Sequence, residues 1–188
     1  VRRAILGGTF DPPHIAHLVA AEAAHRDLAV DVVTFVPAGA PWQKAARDVS
    51  PASDRWEMTR LAVADIPHLE ADDREVHRDG WTYTVDTLGT FAADDEITLI
   101  LGADAAAGIR TWHRSDEVLA RARIAVVPRP GTSLDLVTDV IGDVDVIDAP
   151  SLDISGTMIR ARVGRGASIR FLVPDPVLAY IRISGLYA

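Results

Sequence analysis

The chain contains no cysteine. Disulfides, thiolate metal sites and a cysteine nucleophile are therefore excluded. No apolar run approaches the roughly 20 residues needed to span a bilayer, so no membrane association is expected. The first apolar run, Ala4-Ile5-Leu6, reads as a strand feeding a loop. A secretory leader is thus not expected, and the cytoplasm is the expected location. Positive charge is scarce: 19 basic residues against 27 acidic ones leave a net charge of −8. That balance argues against a nucleic-acid partner, while leaving room for a local basic pocket. Neither the dinucleotide pattern G-x-G-x-x-G nor a P-loop occurs. There is no internal repeat, low-complexity segment or linker.

What is present is a chain of 188 residues, 48% hydrophobic and 24% charged, suited to one globular domain over 1–188. Association of like copies is compatible with this. Strand and helix patterns alternate, which predicts an α/β, Rossmann-like open sheet, mostly parallel, with helices on both faces. Strands are predicted near 3–7, 32–36, 97–101, 124–127 and 144–147, with a short one within 69–78. Helices are predicted from His14 to Leu28, from a Ser50 cap with Pro51 in its first turn, over Thr84 to Phe91, over 103–110, from a Ser115 cap, and over 133–141. A smaller helical part, 155–188, holds one helix capped by Ser155 and another opened by Asp175-Pro176. Residues 38–49 lack a period and read as a loop.

The stretch Gly7-Gly8-Thr9-Phe10-Asp11-Pro12-Pro13-His14-Ile15-Ala16-His17 stands between the first strand and the first helix. Small residues let the backbone approach an anion, and the N–H groups of the first helical turn point at it. Two histidines three apart share a helix face and can grip one polyphosphate. A metal is the lesser alternative, because no third ligand stands out. A second constellation is Ile154-Ser155-Gly156-Thr157-Met158-Ile159-Arg160. Its hydroxyls and its planar guanidinium suit phosphate, whereas alone it would read as a serine cap and a solvated arginine. Two such helix starts in one α/β chain suit a triphosphate. The acidic set Asp72, Asp73 and Glu75 reads as a solvated turn rather than a carboxylate metal site. Trp56 reads as helix core. His25, His68 and His77 take no role.

With these motifs in view, the chain resembles bacterial nicotinate-nucleotide adenylyltransferases of the nucleotidyltransferase superfamily. The resemblance rests on GGTFDPPHIAHL and ISGTMIR, with PWQK, YTVDTL, GAD and WHR between them in the family's order. It departs at two places: the usual glycine of H-x-G-H is Ala16, and the usual second serine of I-S-S-T is Gly156. The resemblance implies adenylyl transfer from ATP to nicotinate mononucleotide, with Mg²⁺ carried mainly by the ATP phosphates. It further implies that Gly8, Thr9 and Phe10 line the ATP phosphates and that His14 and His17 hold them. Lys44 would reach in from its loop, with Trp42 either packing that loop or acting as a lid. Gly102 and Asp104 would meet the ribose or adenine, and Ile154, Ser155, Thr157 and Arg160 would complete the ATP site. Thr84, Trp112, His113 and Arg129 would take the mononucleotide, with Trp112 stacked on the pyridine. A core anchor is the competing reading for Trp112, and solvated surface is the competing reading for Lys44 and Arg129. The alternatives for the whole are a phosphopantetheine or cytidylyl enzyme on the same scaffold, and a non-catalytic nucleotide sensor.

Overall fold

The computed structural model describes residues 1–40 and 49–188. Lys44 and Trp42 lie outside the described residues. Among the described residues, six strands form one sheet: β1 (Arg2–Gly8), β2 (Val32–Pro37), β3 (Leu69–Ala71), β4 (Glu96–Gly102), β5 (Arg123–Val127) and β6 (Asp145–Val146). Their order is β3-β2-β1-β4-β5-β6, and every pairing is parallel. This order reverses between β1 and β4, and open α/β sheets bind ligands outside the carboxyl ends of strands at such a point. The ends that meet there are Gly7-Gly8 of β1 and Gly102 of β4.

Strand alternation divides the core into two layers. Ala4, Leu6, Val33, Phe35, Ile100 and Ala125 face one side. They pack against α1 (Ile15–Leu28), α2 (Ala52–Val63), α7 (Gly156–Gly164) and α8 (Asp175–Ser184) through residues such as Ala21, Met58, Ile159 and Ile181. Ile5, Val36, Leu99, Ile124 and Val126 face the other side. There they meet α3 (Thr84–Leu88), α4 (Ala103–Ala107), α5 (Ser115–Arg121) and α6 (Leu134–Ile141), with a 3₁₀ turn at Ile109–Thr111 after α4. Strands covered on both faces explain why 32–36, 97–101 and 124–127 are near-continuous apolar runs. Val177, Leu178 and Ile181 of α8 are buried, as their spacing predicts. Among the described residues, no helix is long and apolar enough to cross a membrane.

Several element ends differ from expectation. The first helix starts at Ile15, with His14 as its extended cap residue. Pro51, not Ser50, occupies the cap of α2. The Ser50 backbone is committed elsewhere: its N–H donates to Asp11 and its carbonyl accepts from Arg55. Ser115 lies inside α5, whose cap position is Arg114 in a left-handed conformation. The helix from Thr84 ends at Leu88, and the strand expected over 144–147 has only the two residues Asp145 and Val146. Ser133 caps α6 by accepting from the Asp135 N–H, and Ser155 caps α7 by accepting from the Met158 N–H.

Candidate active site

A cleft of about 620 Å³ opens at the strand-order reversal. Gly8, Thr9, Phe10, His14 and His17 line it from the β1–α1 junction. Ile154, Ser155, Thr157 and Arg160 line it from the start of α7. Gly102, Asp104 and Arg129 come from the ends of β4 and β5, and Thr84, Trp112 and His113 form the remaining wall. Every described site residue expected from the sequence therefore faces one cavity. A second hollow of about 580 Å³ lies at the opposite ends of the strands, beside Arg2, Asp95 and Arg123, away from all the motifs.

The histidines are held by local geometry. The His14 N–H donates to His17 Nδ1 at 3.1 Å, and the two rings stack with centroids 3.7 Å apart. Because His17 Nδ1 accepts, the proton of the neutral ring sits on Nε2. The Phe10 ring meets His17 edge-on at 5.0 Å and leans on Phe35 at 5.4 Å. Phe10 reaches that position through a left-handed φ of 49°. Gly8 leaves room beneath it, since a Cβ there would lie in tight contact, 3.0 Å from the Phe10 ring. His14 is 6% exposed, and its buried Nδ1 has no hydrogen-bond partner among the described residues.

Arg160 is not a solvated side chain. Its Nη1 donates to the Asp11 carbonyl at 2.6 Å, and its Nη2 donates to Thr157 Oγ1 at 3.3 Å. The α7 start thus sits directly against the β1–α1 loop. Gly156 allows this approach, because a Cβ there would lie 2.8 Å from the Asp11 carbonyl oxygen. The glycine that replaces the family's usual serine matches this close contact. Across the cleft, Arg129 and Asp104 face each other at 3.8 Å, both largely exposed. Trp112 is half-buried: it packs on the second core layer and also lines the cleft, so the two readings of it coexist. The His113 ring lies 4.4 Å from Tyr83, a cleft residue the sequence did not single out.

Three more residues escaped sequence reading, and a fourth was misread. Asp11 is buried within the cradle, accepting from Tyr187 and from the Ser50 N–H. Arg55 is 1% exposed and donates to the carbonyls of Ser50, Thr9, Ala38 and Gly39. Tyr187 reaches Asp11 from beyond α8. Glu75 corrects the solvated-turn expectation: it is buried, lines the cleft and accepts from Thr87 Oγ1 at 2.5 Å. Burial pushes its carboxyl above the ordinary range. Asp72 instead pairs with Arg74, and Asp73 with His77. Among the described residues, no group of three or more His, Asp or Glu side chains is placed to hold a metal ion.

The chain is similar to proteins already known. A model of the cytidylyltransferase-like family matches residues 5–162. A protein of Acidothermus cellulolyticus is 42% identical over 195 residues, covering 99% of this chain and 94% of its own length. One of Streptomyces coelicolor is 44% identical over 185 residues, covering 97% and 98%. Both bear the name probable nicotinate-nucleotide adenylyltransferase. The chain belongs to the nicotinate-nucleotide adenylyltransferase family. A Plasmodium falciparum nicotinic acid mononucleotide adenylyltransferase complexed with NaAD shares the fold, with a TM-score of 0.82 at 19% identity over 99% of this chain and 97% of that one. The same enzyme complexed with APC gives a TM-score of 0.80 at 19% identity, over 99% and 96%.

One property of this adenylyltransferase-family site is testable without substrate. Burial, aided by the charge of Arg129, lowers the His14 imidazole from 6.5 to about 4. Between those pH values the unfolded chain takes up the proton and the folded chain does not. The contribution of His14 to stability is therefore complete above pH 6.5 and is lost as pH falls toward 4. Its size is on the order of 3 kcal/mol. His14→Gln, which has no such proton to take, is expected to flatten the urea midpoint between pH 6.5 and 4.5. A slope identical to that of the unaltered protein would contradict the buried neutral state.

Proposed function

We propose that this cleft joins ATP to nicotinate mononucleotide, giving deamido-NAD and pyrophosphate. The observation that carries the reading is the convergence of two helix starts, His14–His17 of α1 and Ser155–Arg160 of α7, on one side of a cavity. Its opposite wall offers Thr84, Trp112 and His113. Helix N-termini, imidazoles and a guanidinium suit a polyphosphate, and a flat aromatic suits a flat heterocycle. An oxygen of the mononucleotide phosphate attacks the α-phosphorus of ATP in line. The bond from that phosphorus to the bridging oxygen breaks, and pyrophosphate leaves with the electron pair. The attacking phosphate is already anionic near neutral pH, so no strong base and no covalent enzyme intermediate are required. Catalysis reduces to holding two anions together and offsetting charge on the α- and β-phosphates.

In this reading His14, His17 and Arg160 supply the offsetting groups, joined by Lys44 from the segment before Val49. The backbone of Gly8, Thr9 and Phe10 borders the phosphates, and Gly102 and Asp104 meet the ribose or adenine. Ile154, Ser155 and Thr157 close the ATP side, and Arg129 neighbours the mononucleotide phosphate. Ser155 accepts as the α7 cap, and its own proton stays available for a phosphate oxygen. Mg²⁺ is proposed to enter with ATP, held chiefly by phosphate oxygens and water and neutralising their charge. That mode of binding suits a cleft whose Asp11 is already bonded and whose Asp104 faces Arg129. With ATP as donor, the proposed setting is the cytoplasm.

Pyrophosphate release from ATP, measured with nicotinate mononucleotide, nicotinamide mononucleotide and phosphopantetheine in turn, tests the assignment. Release with nicotinate mononucleotide is expected. Release with phosphopantetheine alone would move the chain to another nucleotidyltransferase activity. Release with none of the three would favour a nucleotide sensor.

A further inference from the structure

We propose that Tyr187 is a positioning residue for the phosphate clamp: by bonding Asp11, it keeps the Arg160 guanidinium directed at the nucleotide. The inference rests on the adenylyl-transfer reading of the cleft.

The Tyr187 hydroxyl donates to Asp11 Oδ1 at 2.5 Å, joining residues 176 positions apart. Asp11 Oδ2 accepts the Ser50 N–H at 3.2 Å. The same residue's carbonyl accepts Arg160 Nη1 at 2.6 Å, while Oδ2 stands 3.9 Å from that nitrogen. Arg160 therefore bonds the backbone of Asp11 and only faces its carboxylate. The Asp11 side chain is 5% exposed, so water cannot readily replace a lost donor. Among the described residues, the Tyr187 hydroxyl is the donor to Oδ1, and Arg160 is the cation within 4 Å of the carboxylate. A short rotation of the carboxylate would convert the 3.9 Å approach into a direct ion pair. Such a pair would draw the guanidinium off the carbonyl and neutralise the charge it presents to phosphate. Tyr187 also holds a left-handed φ of 65°, which a Cβ disfavours, so the surrounding structure fixes its placement. Ser50, the other donor to Asp11, follows the segment that carries Lys44 by two positions.

A built-in control separates positioning from packing. Tyr180 of α8 donates to Asp54 of α2 at 2.7 Å, another phenol–carboxylate bond made from the C-terminal helical part, and neither residue lines the cleft. Steady-state kinetics with ATP and nicotinate mononucleotide are compared for the unaltered chain, Tyr187→Phe and Tyr180→Phe, at a temperature well below all melting points. Tyr187→Phe is expected to lower kcat about tenfold and to raise the KM for ATP about threefold, whereas Tyr180→Phe leaves both within twofold. In an Arg160→Lys background, Tyr187→Phe should add less than a twofold further loss, because the group it positions is already gone. Equal kinetics for the two phenylalanine variants, or full multiplication of losses with Arg160→Lys, would overturn the proposal. Failure of the adenylyl-transfer reading is separately visible as absence of pyrophosphate release by the unaltered chain. ATP affinity by calorimetry then decides on Tyr187. A threefold weakening in Tyr187→Phe but not in Tyr180→Phe supports it, and equal affinities overturn it.

Discussion

His17→Ala is expected to lower kcat about 100-fold while leaving the KM for ATP within a few-fold. The reason is the way the ring is held. His17 Nδ1 is fixed by the His14 N–H, one face of the ring is stacked on His14, and Phe10 meets it edge-on. A donor fixed before substrate arrives costs nothing to organise when charge builds on the phosphates. Removing one such donor typically costs about 3 kcal/mol of transition-state stabilisation. An interaction that strengthens only in the transition state appears in kcat rather than in KM. Steady-state kinetics across ATP concentrations checks the split. An unchanged kcat would remove His17 from the chemistry. A rise in KM alone would reduce its role to ground-state binding.

The second large effect is on stability. Arg55→Met should destabilise the fold by about 3–5 kcal/mol, a large share of the roughly 5–15 kcal/mol that holds a typical domain together. Arg55 Nε donates to the Ser50 carbonyl at 2.9 Å, Nη1 to those of Thr9 and Ala38 at 2.9 and 2.5 Å, and Nη2 to that of Gly39 at 2.8 Å. One planar fork thus ties the loop after β1, the loop after β2 and the entry to α2. Methionine fills similar space but leaves four carbonyl oxygens without this donor, and it removes the cation that faces buried Asp11. Burial lowers the guanidinium's proton affinity, yet arginine stays charged throughout the working pH range. At about 2–4 °C per kcal/mol for a chain of this size, the melting point should fall by roughly 6–20 °C. Lysine at the same position carries the charge without the fork and should recover only part of the loss. A melting point within 3 °C of the unaltered chain for Arg55→Met would contradict the bracing role.

Both effects arise where the sequence was unequally legible. His17 could be read because its partners are neighbours in the chain, so one short motif carries strand end, turn and helix start together. The start of α7 could be read for the same reason. The central strands declared themselves because burial on both faces makes them apolar throughout, whereas β3 and β6 are short edge strands with little to distinguish them from loops. Arg55 could not be read: an arginine in a helix normally faces water, and its four acceptors come from two separate connections, the one after β1 and the one between β2 and α2. Tyr187 and Asp11 are 176 residues apart, and nothing local in either predicts the bond. Glu75 sits in a polar run that reads as solvated. Its burial depends on Gly39, where a Cβ would lie only 2.0 Å from the Glu75 carbonyl oxygen. Ser50 had the composition of a helix cap, but Asp11 and Arg55 claimed its backbone, and the cap fell to Pro51.

The stereochemical course of the reaction at the α-phosphorus tests the central claim most directly. In the proposed reaction the cleft only clamps two anions and lets one attack the other. A histidine in the same cradle is, chemically, also able to act as a nucleophile and carry the adenylyl group. ATP made chiral at the α-phosphorus by oxygen isotopes, turned over with nicotinate mononucleotide, distinguishes the two. Direct in-line transfer predicts inversion in the deamido-NAD formed. Retention would require two displacements through a covalent enzyme intermediate and would contradict the account.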